Sequence, residues 1–186
     1  MRYRRVLALI LCLLPVTGRA TVLLPAEFRE IVNGSDIIAY GRVTGSTARW
    51  SDDRKHVDTL ITMQVGTYLK GPRGEELMFK VPGGTIGRYM NITVGAPQFN
   101  PGDEVVVFLN TRGQDLPIVF GLNQGVFRVT LDSQTKRRLV AAPVMSRGDA
   151  REAVVRGAVS RKPVPLEAFG AEVQTVLAAG AGRSAR

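Results

Sequence analysis

The stretch His56–Lys70, HVDTLITMQVGTYLK, decides the fold. Val57, Thr59, Ile61, Met63, Val65, Thr67 and Leu69 fall on one face of an extended chain, and His56, Asp58, Leu60, Thr62, Gln64, Gly66 and Tyr68 on the other. A period of two with one largely apolar face is a strand with that face in a core. The run is far longer than the usual ~5–6 residues of a strand. Gly66 is the natural place for it to bend or bulge, and long bent strands are what a small closed barrel requires.

Working outward, the same test predicts further strands. DIIAYGRVTGS (36–46) precedes the long run and joins it through the polar loop ARWSDDRK. ELMFKV, with Leu77, Phe79 and Val81 on one side, follows, and then RYMNITV. The apolar run in DEVVVFLN marks a strand covered on both faces. PIVFGL and GVFRVTLD, with the turn NQG between them, close the set, and Phe127, Val129 and Leu131 share one face of the last strand. About seven strands punctuated by turn residues predict an all-β barrel or sandwich. The expected fold is mainly β: an OB-like, partly or fully closed antiparallel barrel with a short N-terminal helix and one or two C-terminal helices. LPAEFREIVNGSD supplies the first helix, with Pro25 at its start and Gly34 at its end. PLEAFGAEVQTVLAAG supplies the last, whose stripe of Leu166, Phe169, Val173, Val176 and Leu177 must pack on the barrel. A second C-terminal helix is expected near Arg147–Ala158, and residues 181–186 are expected to form a disordered tail.

The ends and the charge bound the class. Arg2, Arg4 and Arg5 precede the apolar run Val6–Val16, and Gly18 and Ala20 suit a cleavage site, so residues 1–20 are expected to be a signal peptide and the mature chain exported, to the periplasm or the exterior. The run is shorter than the ~20 residues that span a bilayer, and no later stretch approaches that length. The only cysteine, Cys12, lies inside the signal, which leaves residues 21–186 without disulfides, thiol chemistry or thiolate metal ligands. The formal charge of +9 falls to +5 without the four arginines of the signal. Residues 21–132, the expected barrel domain, carry −1, and residues 133–186 carry +6. The basic segment 133–180 therefore holds the excess, and contact of this C-terminal third with anionic surfaces is one expectation. Nucleic acid is not expected as a partner, because no aromatic residues interleave with the basic ones.

No reactive constellation emerges. FKVPGGTIGRYMNITVG (79–95) holds three glycines in five positions, but a phosphate cradle opens a helix, whereas here Gly87 runs into a strand pattern. Gly83 and Gly84 are expected to serve a strand-to-strand corner after Pro82. His56, the sole histidine, sits at the lip of the SDDRK turn with no nucleophile elbow in the chain. Asp52–Asp53, Glu75–Glu76 and Asp103–Glu104 are adjacent pairs, and neighbours on an extended chain diverge instead of facing one glycosidic bond. The chain is accordingly expected to have no catalytic residues, no cofactor and no metal, with a hydrolase using an unrecognised site as one alternative.

The run SDIIAYGRVTGS…TLITMQVGTYLKG…LMFKVPGG…GDEVVVFLN, over roughly residues 25–132, resembles uncharacterised exported bacterial proteins with an OB-like barrel. It is also similar to the netrin-like module of tissue inhibitors of metalloproteinases. In that family the mature N-terminus chelates the protease zinc, a position that corresponds to Thr21 here. The resemblance implies a second alternative, inhibition of a secreted protease. The leading expectation is a non-enzymatic binding module whose partner is another exported protein, with Thr21, Trp50, Arg54 and His56 as the contact residues. A tryptophan amid charged side chains is a suitable interface anchor.

Overall fold

The structure is a computed structural model and describes residues 25–143 and 162–184. The expected signal segment, Thr21, the helix near Arg147–Ala158 and the last two residues lie outside the described residues. In chain order the elements are α1 (Phe28–Gly34), β1 (Ile37–Trp50), β2 (Val57–Lys70), β3 (Glu76–Pro82), β4 (Gly84–Ile86), β5 (Tyr89–Asn91), β6 (Glu104–Asn110), β7 (Ile118–Val119), a 3-10 turn (Leu122–Gly125), β8 (Val126–Leu131), β9 (Arg138–Ala141), β10 (Val164–Pro165) and α2 (Leu166–Ser184).

Five strands close a barrel in the order β1-β2-β3-β7-β6, with β6 returning to β1 over Ile37↔Leu109 to Arg42↔Glu104. Renumbered along the barrel this is 1-2-3-5-4-1, the OB-type arrangement. One seam departs from the antiparallel expectation: β3 meets β7 in parallel at Lys80↔Ile118, so the barrel is mixed. The reason is connectivity. The chain leaves β6, turns back once as the two-residue β7, and so reaches the free edge of β3 running in the same direction as β3.

β1 and β2 are each fourteen residues long, and three register shifts bend their ladder. One falls where Tyr40 pairs with Thr67 and Gly41 with Val65, leaving Gly66 as the extra residue, as its position in the sequence suggested. The bulges also break the single-face pattern of the long run. Ile61 and Met63 are buried inside the barrel and Val57 is buried beside Gly84, but by the end of the strand Tyr68 packs on the interior cluster and Leu69 on the exterior one. Gly41 is required opposite: a Cβ there would stand 2.3 Å from the Gln64 carbonyl oxygen. β1 runs to Trp50, four residues beyond the strand read from the sequence, because the tip is tied. The Ser51 amide donates to the His56 carbonyl at 2.9 Å, the Ser51 hydroxyl donates to Asp53, and Arg54 takes a positive φ of 55° at the turn.

Two apolar layers share the strand β6. Val105, Val107 and Leu109 point into the barrel with Ile37, Val43, Phe79 and Phe99, while Val106 and Phe108 point outward to α1 and α2. This explains the five consecutive apolar residues of that strand. On the outer face Ile31 and Val32 of α1 and Phe169 and Val173 of α2 are buried against Ile38, Phe108 and Phe127. The helix α1 starts at Phe28, after Pro25, with the Glu27 amide donating to the Glu30 carboxylate at 2.8 Å. At its other end the Lys70 ammonium donates to the Ser35 carbonyl at 2.5 Å, which suits the negative end of a helix. The sheet does not stop at Asp132: β9 pairs with β8 from Arg138 to Ala141, and β10 pairs with β9, carrying the chain straight into α2. α2 continues to Ser184, so four residues of the expected tail are helical. PIVFGL yields only Ile118–Val119 before Gly121, at φ 54°, turns the chain into the 3-10 segment where NQG lies.

Candidate functional site

The glycines at 83–87 determine what stands outside the barrel. Gly83 (φ +96°), Gly84 (φ +151°) and Gly87 (φ +57°) all adopt backbone that other residues avoid. A Cβ on Gly84 would lie 2.7 Å from the Thr59 hydroxyl and 3.1 Å from the Ala48 Cβ, so only glycine lets β4 cross the β1–β2 arm this closely. The three glycines serve a bend, as the sequence implied, and the bend has a consequence the sequence reading missed. RYMNITV is not a barrel strand. Its first residues form β5, paired only with β4 through Gly84↔Asn91, Thr85↔Met90 and Ile86↔Tyr89 in a separate two-stranded sheet.

Folded out this way, apolar side chains of that segment face solvent. Tyr89 is 51 % exposed, Met90 67 %, Ile92 76 % and Val94 90 %. Trp50, at the end of β1, is 40 % exposed and meets Tyr89 edge-on, with ring centroids 5.6 Å apart. Arg88 lies over the Tyr89 ring, its guanidinium carbon 5.3 Å from the centroid. Isolated surface hydrophobes are ordinary, but five large ones on and beside a single hairpin, with Met90 and Ile92 lining a cavity and Trp50 on Tyr89, mark a candidate interaction site. Behind the hairpin, a cavity of about 470 Å3 reaches the mouth of the barrel, where Phe99 covers Phe79 with centroids 5.4 Å apart.

Of the expected contact residues, Trp50, Arg54 and His56 are brought together on one arm, and Thr21 lies outside the described residues. Pro25 and Ala26 are held at the other end of the β1–β2 ladder. The Ala26 amide donates to Gln124, and α1 packs beside Ile38 and Leu69, whereas Trp50 pairs with Val57. His56 is exposed and stands between Asp58, 3.4 Å from Nε2, and Asp53, 3.9 Å from Nδ1. The Ser51 hydroxyl and the Lys55 amide hold the Asp53 carboxyl below its ordinary range, so it is a turn acceptor. The Ser51 hydroxyl accepts from the His56 amide at 3.1 Å and reaches its carbonyl at 3.0 Å, so it meets the backbone of His56 as part of the turn. The sequence reading passed over Tyr89, Met90, Ile92 and Val94. The signal that could have found them is the Gly-Gly before and the Gly-Arg within the segment, which turn an apolar period of two away from the barrel.

The acidic pair Asp103–Glu104 diverges as expected of neighbours on an extended chain. Asp103 accepts from Arg128 at 2.5 Å, whereas Glu104 accepts from Arg42 at 2.6 Å, Tyr40 at 2.8 Å and Arg138 at 2.9 Å. Burial raises the Glu104 pKa, but the bonds from Arg138, Tyr40 and Arg42 outweigh it and hold the carboxyl below its ordinary value. Glu104 is therefore a fixed anion and not a proton donor near neutral pH. Among the described residues no group of three or more His, Cys, Asp or Glu side chains could hold a metal ion, and no helix is long and apolar enough to cross a membrane. No protein-family model, curated protein or solved structure matches the chain.

Proposed function

We propose that the chain is an exported, non-enzymatic binding module that docks another exported protein through the surface made by Trp50, Tyr89, Met90, Ile92 and Val94. The observation that carries this reading is the concentration of exposed apolar side chains on the β4–β5 hairpin and the end of β1 beside it, held there by the glycine-dependent approach of β4 to the β1–β2 arm. Rigid aromatic and methionine side chains in one patch are what interface centres use. Arg88 lies over the Tyr89 ring, and Arg49 and Arg54, close to Trp50 in the chain, are exposed as well. The partner that fits is therefore a protein with an apolar depression rimmed by carboxylates. Arg54 and His56 belong to the polar rim of such a contact, where they set orientation and encounter rate more than affinity.

The test is site-specific photo-cross-linking in native cells from position 92, compared with position 113 in a loop remote from the patch. A discrete adduct at 92 that Trp50→Ala and Val94→Asp each abolish, with none at 113, is the expected result. An adduct of twice the chain's own mass assigns the surface to a second copy of this chain and overturns the heterologous partner. Equal labelling at both positions, or labelling at 92 indifferent to both substitutions, removes the patch as a docking surface.

A further inference from the structure

The helices α1 and α2 cover only part of the barrel's outer wall. At its uncovered end Arg42 of β1, Glu104 of β6 and Arg138 of β9 gather around a cavity of about 430 Å3, with Arg128 and Leu131 of β8 also on its lining. Pairing explains the gathering: Arg42 lies opposite Glu104, Glu104 opposite Val129, and Leu131 opposite Arg138, so one pleated face brings these side chains to one place. Three guanidiniums share two carboxylates, which leaves the group with an excess positive charge.

The hydrogen-bond inventory shows where that excess points. A guanidinium carries five N–H donors. Arg42 uses Nη2 on one Glu104 oxygen, and Arg138 uses Nε on the other. Tyr40 also lies within hydrogen-bond reach of the Arg138 guanidinium, and both arginines keep about half of their side-chain surface open, 57 % for Arg42 and 50 % for Arg138. Arg128 is the most committed of the three, bound to Asp103 and to the Gln98 carbonyl and lying 5.7 Å from the centre of the Phe99 ring. Glu104 accordingly acts as a bracket: it takes one donor of each flanking arginine and so positions two partly exposed guanidiniums on the lining of the cavity. A guanidinium already held in place loses little further freedom when it binds, and its planar fork matches two oxygens of a carboxylate or phosphate. Leu131, 62 % exposed, adds an apolar wall next to the charged group.

We propose that this cavity binds a small organic anion, with its carboxylate or phosphate head on Arg42 and Arg138 and its apolar body against Leu131. The site is separate from the Trp50 surface and stands or falls independently of it.

The experiment uses the full mature chain, labelled for arginine Nε–Hε NMR, and titrates inorganic phosphate and succinate in separate arms at constant ionic strength, with chloride as the blank. Saturable shifts at Arg42 and Arg138, larger than those at the exposed Arg54, are the expected result. Saturation by phosphate alone or succinate alone fixes the head group. Arg138→Gln and Arg42→Gln should each weaken binding about 10- to 100-fold, as expected for loss of a charge-assisted hydrogen bond. The wild-type titration decides the matter even if a variant misfolds. No saturable shift beyond the chloride blank in either arm overturns the proposal, as does unchanged affinity in both folded variants.

Discussion

Phe169→Ala is the substitution that best tests how the molecule is held together. Phe169 is 2 % exposed on the inner side of α2, and its ring lies 5.1 Å from Phe127, 5.5 Å from Phe28 and 6.3 Å from Phe108, measured between centroids. It is the residue through which the last helix meets both the first helix and the barrel wall. Truncating a buried phenylalanine costs ~3–5 kcal/mol, part transfer and part cavity. The three neighbouring rings belong to strands and to a short helix that cannot all collapse into the gap, which places this site toward the upper end. Against a total stability of ~5–15 kcal/mol the loss is a large fraction. At ~2–4 °C per kcal/mol for a chain of this size the melting temperature should fall by about 6–20 °C. Urea unfolding followed by far-ultraviolet circular dichroism, with an unchanged m value, measures it directly. Glu167→Gln, on the exposed side of the same helix, should stay within ~0.5 kcal/mol. A loss below ~1 kcal/mol for Phe169→Ala would refute the claim that α2 is a wall of the core and return it to the status of an appended tail.

Two further outcomes follow from the same geometry. Gly41→Ala should prevent folding, because a Cβ would stand 2.3 Å from the Gln64 carbonyl in the middle of the barrel ladder, and soluble yield with a circular dichroism spectrum checks it. The Glu104 carboxyl has a folded pKa below its ordinary value of 4.5, so the stability it contributes is complete above that value and drains away as pH falls through the lowered folded pKa. Urea midpoints between pH 6 and pH 3 should therefore decline, and Glu104→Gln should flatten that decline. An unchanged slope in the variant would mean that other carboxylates, such as Asp36 held by the Thr111 amide, carry the effect.

The barrel was legible in the sequence because a period of two survives in β3 and most of β2, and because β6 is apolar on both sides. Gly66 was legible as an interruption for the same reason. What escaped is what depends on partners distant in sequence. RYMNITV has the composition of a core strand, and the three positive-φ glycines before it send it outward. The parallel seam at Lys80 follows from which edge β7 reaches, which no local pattern encodes. β9 and β10 are too short and too polar to announce themselves, and they exist because β8 offers an edge. At the candidate surface the sequence supplied Trp50, a lone tryptophan among charges, but not Tyr89, whose proximity is created by folding. The arginines at 42, 128 and 138 are dispersed over almost a hundred positions and meet only through strand pairing.

The placement of α2 also sets a clock on biogenesis. Phe108 and Phe127 are laid down long before Phe169 and Val173, the residues that shield them from water. A chain still being synthesised carries that greasy flank uncovered until its final helix emerges. Docking of that helix is thus the step that completes the outer layer of the fold, and it can come only at the end of synthesis.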